Sequence, residues 1–492
     1  MGGKGSGGGG APGGTADASA PDASPPKIGM PGCGFASAAF CDTFDGPAAV
    51  HGRAGELDPA YWGGARMEGQ LSTTRAMGIG MAVIPDCRPG IPNHVWPDGD
   101  TLICNATADI ASSHLLAAAA AQNYGQNGYR IRQPFDFAGR TGKIVFDATV
   151  NELSPLHAWV SLAITEDPIS LPGYAIRGND EGSIIPRNAI EVHFANFGDQ
   201  TRIFARNVHV FKDYVDTVYT PPQLSTAPSF KAGKLNHYEF LISEQGIETT
   251  ITPYSEDGKT FGAPEFDFKV NASVPFTRGY VHVSVHNHAI IKYTQPDTHP
   301  AVKDAAVAQI DNVGFDGPVI ERAREYEVPD ALAKFNEPLV GDPYNPDNTG
   351  YDIGYFVDDE SKGPKQVLHL KGVDTAGVTS AKLAFSTWIN FDGLGNTNHQ
   401  GFAFRARLNG KSWHERALSP AELAFFDSGP TVVDPAGAAV GDPKSQGRLA
   451  IMIDVPPEDL LSGDNTVEIV TVKIPTNYPP LVCNVDLVMQ TK

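Results

Sequence analysis

Three stretches of this 492-residue sequence place chemically capable side chains at every second position. Between Val281 and His288, three valines alternate with His282, Ser284, His286 and His288. His157, Trp159 and Ser161 take the alternate positions of a second stretch, and Glu191 and His193 those of a third. Successive side chains of an extended strand point to opposite faces, so each stretch has an apolar side and a polar side. If the three strands are neighbours, an indole, a carboxylate and several imidazoles share one concave face. Sugars suit such a surface, because pyranose rings stack on Trp and hydroxyls exchange hydrogen bonds with His, Asn and Glu. Ligand contacts are therefore expected at His157, Trp159, Glu191, His193, His286 and His288. Two other readings stay open. Outward strand faces carry polar residues whatever they do. A transition metal on His282, His286 and His288 is the other, although alternate residues of a strand stand ~6.6 Å apart, awkward for three ligands on one ion.

The elements that must position these residues are strands. From Ala106 onward, short runs of Val, Ile, Phe and Tyr recur with period two, separated by Gly, Pro, Asn and Asp. Lys143 to Val150, Ala189 to Phe197, Arg202 to Phe211, His237 to Ser243 and Tyr280 to Ile291 belong to a first set; Ala381 to Phe391, Gly401 to Leu408, Arg448 to Val455 and Leu481 to Met489 belong to a second. Pro329, Pro338, Pro343 and Pro346 mark a connector between them. No amphipathic helix of three turns is expected, and 52 Gly with 39 Pro agree with turn-rich β architecture. The predicted fold is all-β: a disordered Gly-rich tether over 1–32, a jelly-roll β-sandwich over 33–322, a linker over 323–349 and a second β-sandwich over 350–492.

Composition excludes other classes. With 57 acidic against 37 basic residues the net charge is −20, which argues against nucleic acid, whose binding draws on clustered Lys and Arg. No apolar run approaches the ~20 residues of a transmembrane helix. One origin of the N-terminal stretch is a mature lipoprotein whose lipid anchor lay upstream of Met1, which places the protein extracellularly or on the cell surface. A start site set too far downstream and a cytoplasmic protein with a flexible arm are the others. Among five cysteines, Cys33 with Cys41 and Cys87 with Cys104 would each staple a short irregular loop and leave Cys483 over; five free thiols is the alternative.

Phe40-Cys41-Asp42-Thr43-Phe44-Asp45-Gly46, followed by Leu57-Asp58-Pro59-Ala60-Tyr61-Trp62, resembles the opening of concanavalin A-like lectin/glucanase domains, which share a laminin-G-like jelly roll. Ile310-Asp311-Asn312-Val313-Gly314-Phe315-Asp316-Gly317 resembles the closing strand of the same fold. The resemblance implies that these two strands pair. It also implies a structural Ca²⁺ held by Asp42, Asp45, Asp311 and Asp316; the alternative is that these residues cap turns through their own side chains. In the glucanase branch a Glu-x-Asp-x-(x)-Glu strand carries the catalytic carboxylates, which retaining hydrolysis needs about 5 Å apart. Here Glu191 matches the first position, His193 stands where the family has Asp, and Ala195 or Asn196 stands where the acid/base belongs. The proton donor for the leaving group is thereby lost. The resemblance thus implies a non-catalytic carbohydrate-binding protein. A structural or adhesion protein is the alternative, and a divergent glycoside hydrolase, with Glu239 or Asp147 supplying the second carboxylate, the third.

Toward the C-terminus, Leu408-Asn409-Gly410-Lys411 and the segment from Leu460 to Ile469 resemble a galactose-binding-like β-sandwich. Asn-Gly is apt for a two-residue hairpin because both central positions need φ > 0. Trp413 to Arg416 precede Ser419-Pro420-Ala421-Glu422, whose spacing can cap a short helix. These loop side chains either contact a glycan or fasten the loop.

Overall fold

The computed structural model describes residues 26–44, 57–67, 94–95, 101–102, 108–109, 116–120, 126–150, 158–169, 184–196, 203–221, 235–255, 260, 262–287, 306–328, 355–364, 366–389, 401–428, 431–440, 448–473 and 479–492. Two antiparallel sheets build the first sandwich. In one, Gly142–Val150 lies between Asn236–Ser243 and Ala306–Phe315. In the other, Ala158–Thr165 lies between Arg278–Asn287 and Ala189–Asn196, with Gln126–Ile131 and Ile203–Lys212 beyond them. Alternate residues of each sheet meet in one core: Ile144, Phe146, Tyr238 and Phe240 from the first, Leu162, Val192, Phe194 and Val283 from the second. Phe146 stacks on Tyr238 at 4.9 Å between centroids.

The opening and closing strands pair, with Phe40 opposite Phe315, Cys41 opposite Gly314 and Asp42 opposite Val313. This two-sheet arrangement with joined ends is the jelly roll that the resemblance implied. Gly314 is needed at that seam, because a Cβ there would stand 2.8 Å from both the Cys33 Cβ and the Phe40 carbonyl oxygen. Cys33 and Cys41 form a disulfide across 5.7 Å between Cα atoms, while Cys87 and Cys104 lie outside the described residues. Residues 26–32, expected within the tether, are bound to this sandwich: Lys27 N donates to Cys41 O at 2.7 Å and Gly29 N to Ala38 O at 2.6 Å.

The second half is a β-sandwich as well. Val378–Trp388 sits between Arg448–Val455 and Leu481–Thr491 in a six-stranded sheet, which faces a four-stranded sheet centred on Gly463–Thr471 and Ala403–Leu408. Leu383, Phe385 and Leu487 pack against Phe404, Val467 and Ile469. The Asn409-Gly410 turn forms, with φ of 54° and 67° and Lys411 N donating to Leu408 O at 2.9 Å, but pairing resumes only with Ala406 opposite His414, so the connection is longer than the expected two-residue hairpin. Ser419 and Glu422 cap the helix Pro420–Ser428 reciprocally: Ser419 N donates to the Glu422 carboxylate at 2.6 Å and Glu422 N to Ser419 Oγ at 3.3 Å. Arg407 lies 4.4 Å over the Trp413 ring, which fastens that loop to its own domain.

The halves are not two beads on a linker. Arg324–Glu327, expected in the linker, is a strand that pairs with Leu481–Thr491. Ile184–Ile185 joins the second sandwich beside Arg448–Val455, and Thr431–Val433 joins the first beside Val215–Tyr219. Unpaired sheet edges invite association with other chains, so each half covers an edge of the other.

Candidate functional site

The three alternating stretches are neighbours in one sheet. Ser161 is opposite His193 on one side and Ser284 on the other; Ala163 is opposite Glu191 and His282; Glu191 is opposite His209, and His282 opposite Arg130. Residues in register share a face, so the polar positions do line up as alternation requires. Trp159 is the register partner of His286, two residues further along. The side chains of Trp159 and His286, and all of His157 and His288, lie outside the described residues.

Over its described side chains the face is not an open trough. Ser161, His193, His209, His282 and Ser284 are 0 % exposed and Glu191 is 1 % exposed. The expectation that Glu191 and His193 meet solvent is corrected by this enclosure, to which the second half of the chain contributes. Arg130 forms a buried ion pair with Glu325, Ala189 and Phe211 join the core of the second sandwich, and Ile169 packs with Ala384 and Val488. The Tyr214 hydroxyl donates to Glu422 at 3.0 Å.

Inside this seam the titratable groups hold one another. Glu191 Oε1 is 3.1 Å from His193 Nε2; His193, diagonal to His209 across a bulge, stacks on it at 4.9 Å; His209 Nδ1 is 2.8 Å from Asp216 Oδ2. Burial first, and then the negative charge of Asp216, push the Glu191 carboxyl well above the usual carboxylate range, against a hydrogen bond with Ser161 that pulls it down. His282 Nε2 lies 2.9 Å from Thr165 Oγ1.

Neither carboxylate considered as a catalytic partner is near Glu191. Asp147 and Glu239 belong to the opposite sheet and point away from the core, since their neighbours Phe146, Ala148, Tyr238 and Phe240 fill it. Facing sheets are ~10 Å apart, so these groups are well outside two-carboxylate reach. Asp147 instead accepts from Tyr254 at 2.6 Å and Asn312 at 2.7 Å and meets His237 Nδ1 at 2.7 Å. Glu239 pairs with Lys143.

The acidic residues considered for calcium have other partners. Asp42 accepts from the Trp62 indole at 2.8 Å and from Phe44 N at 2.9 Å. Asp316 accepts from Arg140 and from Lys143 N, each at 2.9 Å, and Asp311 accepts from Asn312 N at 2.7 Å. Asp45 lies outside the described residues. Among the described residues no group of three or more His, Cys, Asp or Glu side chains is placed to hold a metal ion. The donors that are described fit turn capping and ion pairing better than a shared Ca²⁺.

An open concavity does exist, at the junction of the two sandwiches. A cleft of about 700 Å³ is lined by Ile28, Pro59, Arg132, Val319, Arg322 and Glu327, among others. The Arg322 guanidinium lies 4.3 Å over the ring of Tyr61. Arg132, 4 % exposed, donates to Glu325 O at 2.7 Å, and Glu327 accepts from Gly64 N at 2.9 Å. Sequence reasoning missed this cleft because it draws on five or more separate segments, one of them the supposed linker. Only the Tyr61-Trp62 pair, part of the opening segment, pointed near it.

No protein-family model matches the chain, and no curated protein matches it in sequence. Solved structures do overlay on it. A β-glucanase of Bacillus licheniformis does so at 11% identity and a TM-score of 0.29, over 54% of this chain and 97% of that one. An immunostimulatory antigen and pseudo β-1,3-glucanase of Mycobacterium tuberculosis does so at 14% identity and a TM-score of 0.31, over 57% and 99%. The lectin UEA-II, complexed with galactose, does so at 9% identity and a TM-score of 0.27, over 46% and 96%. Such identities leave activity open.

Proposed function

We propose that the protein is a non-catalytic carbohydrate-binding protein that takes its ligand in the cleft between the sandwiches. The cleft is the observation that carries this reading. A sugar offers hydroxyls that donate and accept hydrogen bonds together with apolar C–H faces. The cleft matches both, with guanidinium donors at Arg132 and Arg322, carboxylate acceptors at Glu321 and Glu327, and apolar walls at Ile28 and Val319. Cavities of this size at domain junctions suit small ligands. Glu191 supports the absence of catalysis, because it is enclosed and has His193 and Ala195 where the resemblance implies further carboxylates. The Cys33–Cys41 disulfide supports an extracellular or cell-surface location, since such bonds persist in oxidising compartments.

A glycan array probed with the full chain and with Tyr61→Ala and Trp159→Ala variants tests this. A cleft-bound glycan requires that Tyr61→Ala abolish the signal and Trp159→Ala leave it. The reverse result would move the ligand to the sheet face at the Trp159 and His286 end. No signal from any glycan would sink the carbohydrate reading and favour a structural or adhesion role.

A further inference from the structure

Every arginine whose side chain is described lies against a carboxylate, with one exception. Arg130 and Arg132 have Glu325; Arg140 has Asp316; Arg187 has Glu166; Arg278 has Asp136; Arg324 has Asp374. In the second sandwich Arg405 has Glu415, Arg407 has Glu468 and Arg416 has Glu422. Arg322 has no carboxylate among the described residues. It is half-buried, its guanidinium lies on Tyr61 at 4.3 Å, and it lines the junction cleft. In a chain with 57 acidic and 37 basic residues, acids to pair with are in surplus. An arginine held over an aromatic ring at a cavity wall, without one, is a preorganised fork for an anion from outside.

A second guanidinium lines the same cleft. The Nε of Arg132 is enclosed beside Glu325 Oε2 at 3.5 Å, and its Nη2 lies 3.8 Å from Glu327, so Arg132 is already set against two carboxylates. The acids of the cleft are unequal. Glu325 is held by Arg130 and Glu327 by Gly64 N, whereas Glu321 is exposed on the lining, where its charge opposes an anion. Lys371 adds a positive charge to the lining.

We propose that the cleft recognises an acidic saccharide, with the carboxylate of a uronate residue bound by the Arg322 fork. This rests on the carbohydrate reading and names the ligand class of that site. Arg322 acts as its specificity determinant: a neutral sugar offers the fork hydroxyl acceptors but no charge-assisted, two-pronged carboxylate.

Calorimetric titration of the full chain with galacturonate, glucuronate and mannuronate oligosaccharides, with their methyl esters, and with glutarate tests the proposal. At least one free-acid oligosaccharide is expected to bind at least ~10-fold more tightly than its ester, a ratio of the size a charge-assisted pair supplies. Arg322→Ala should remove that ratio, Arg322→Lys should restore only part of it, and Glu321→Gln should tighten the acid form several-fold. Thermal melts matching the wild type show that the Arg322 variants fold. Esters binding as tightly as acids, with Arg322→Ala silent, would overturn the inference and leave the carbohydrate reading standing. Glutarate binding as tightly as the uronates would reduce the cleft to a plain anion site and overturn the saccharide assignment. Binding of no sugar at all would overturn both.

Discussion

The Glu191 carboxyl meets Nε2 of His193 at 3.1 Å in a seam where neither side chain reaches solvent. Because burial and Asp216 raise its pKa, Glu191 binds its proton more tightly folded than unfolded. The stability this contributes is fully present below the unfolded value of about 4.3 and is lost as pH rises toward the folded value, by up to ~1.4 kcal/mol per pH unit. Glu191→Gln, neutral at every pH, escapes that loss. Urea unfolding between about pH 4.5 and 7.5 should show the variant gaining on the wild type as pH rises. Parallel profiles would show that Glu191 ionises freely in the folded protein.

Glu422 is expected to behave in the opposite sense. Burial works to raise its pKa, but Arg416, the Ser419 N–H and the Tyr214 hydroxyl together hold it below the usual range. Its contribution is therefore present above the unfolded value of about 4.3 and is lost as pH falls through the folded value. Glu422→Gln should destabilise the protein near neutral pH and converge on the wild type in acid, as followed by thermal melts across that interval. A deficit independent of pH would assign its role to shape and not to charge.

Arg130 and Glu325 tie the sandwiches together with both side chains 1% exposed. Removing one partner of such a pair strands the other charge, so Glu325→Gln should cost about 3–5 kcal/mol in urea unfolding. Replacing both, as Arg130→Met with Glu325→Leu, should recover most of that loss. A double variant as unstable as the single one would mean that the charges matter beyond their mutual neutralisation.

What was legible in the sequence was local. Val281 and Val283 fall in the core and His282 and Ser284 on the other face because strand alternation is a property of consecutive residues. The Asn409-Gly410 turn and the Ser419 to Glu422 cap formed for the same reason: their chemistry is complete within four residues. Whether the polar face is wet depends on what packs over it, and Glu325 lies 195 residues from Arg130. The exchanged strands Ile184–Ile185 and Thr431–Val433 are too short to carry a period. Arg324–Glu327 falls at the start of the stretch that the prolines marked as linker, yet its Glu325 is buried at the junction.

Incubating the full chain with the glycans it retains on an array, and following new reducing ends by chromatography, tests non-catalytic binding most directly. Bound glycan should stay intact over hours, in the wild type as in Glu191→Gln. Time-dependent cleavage that disappears in Glu191→Gln would contradict it and make the enclosed carboxyl a working catalytic group.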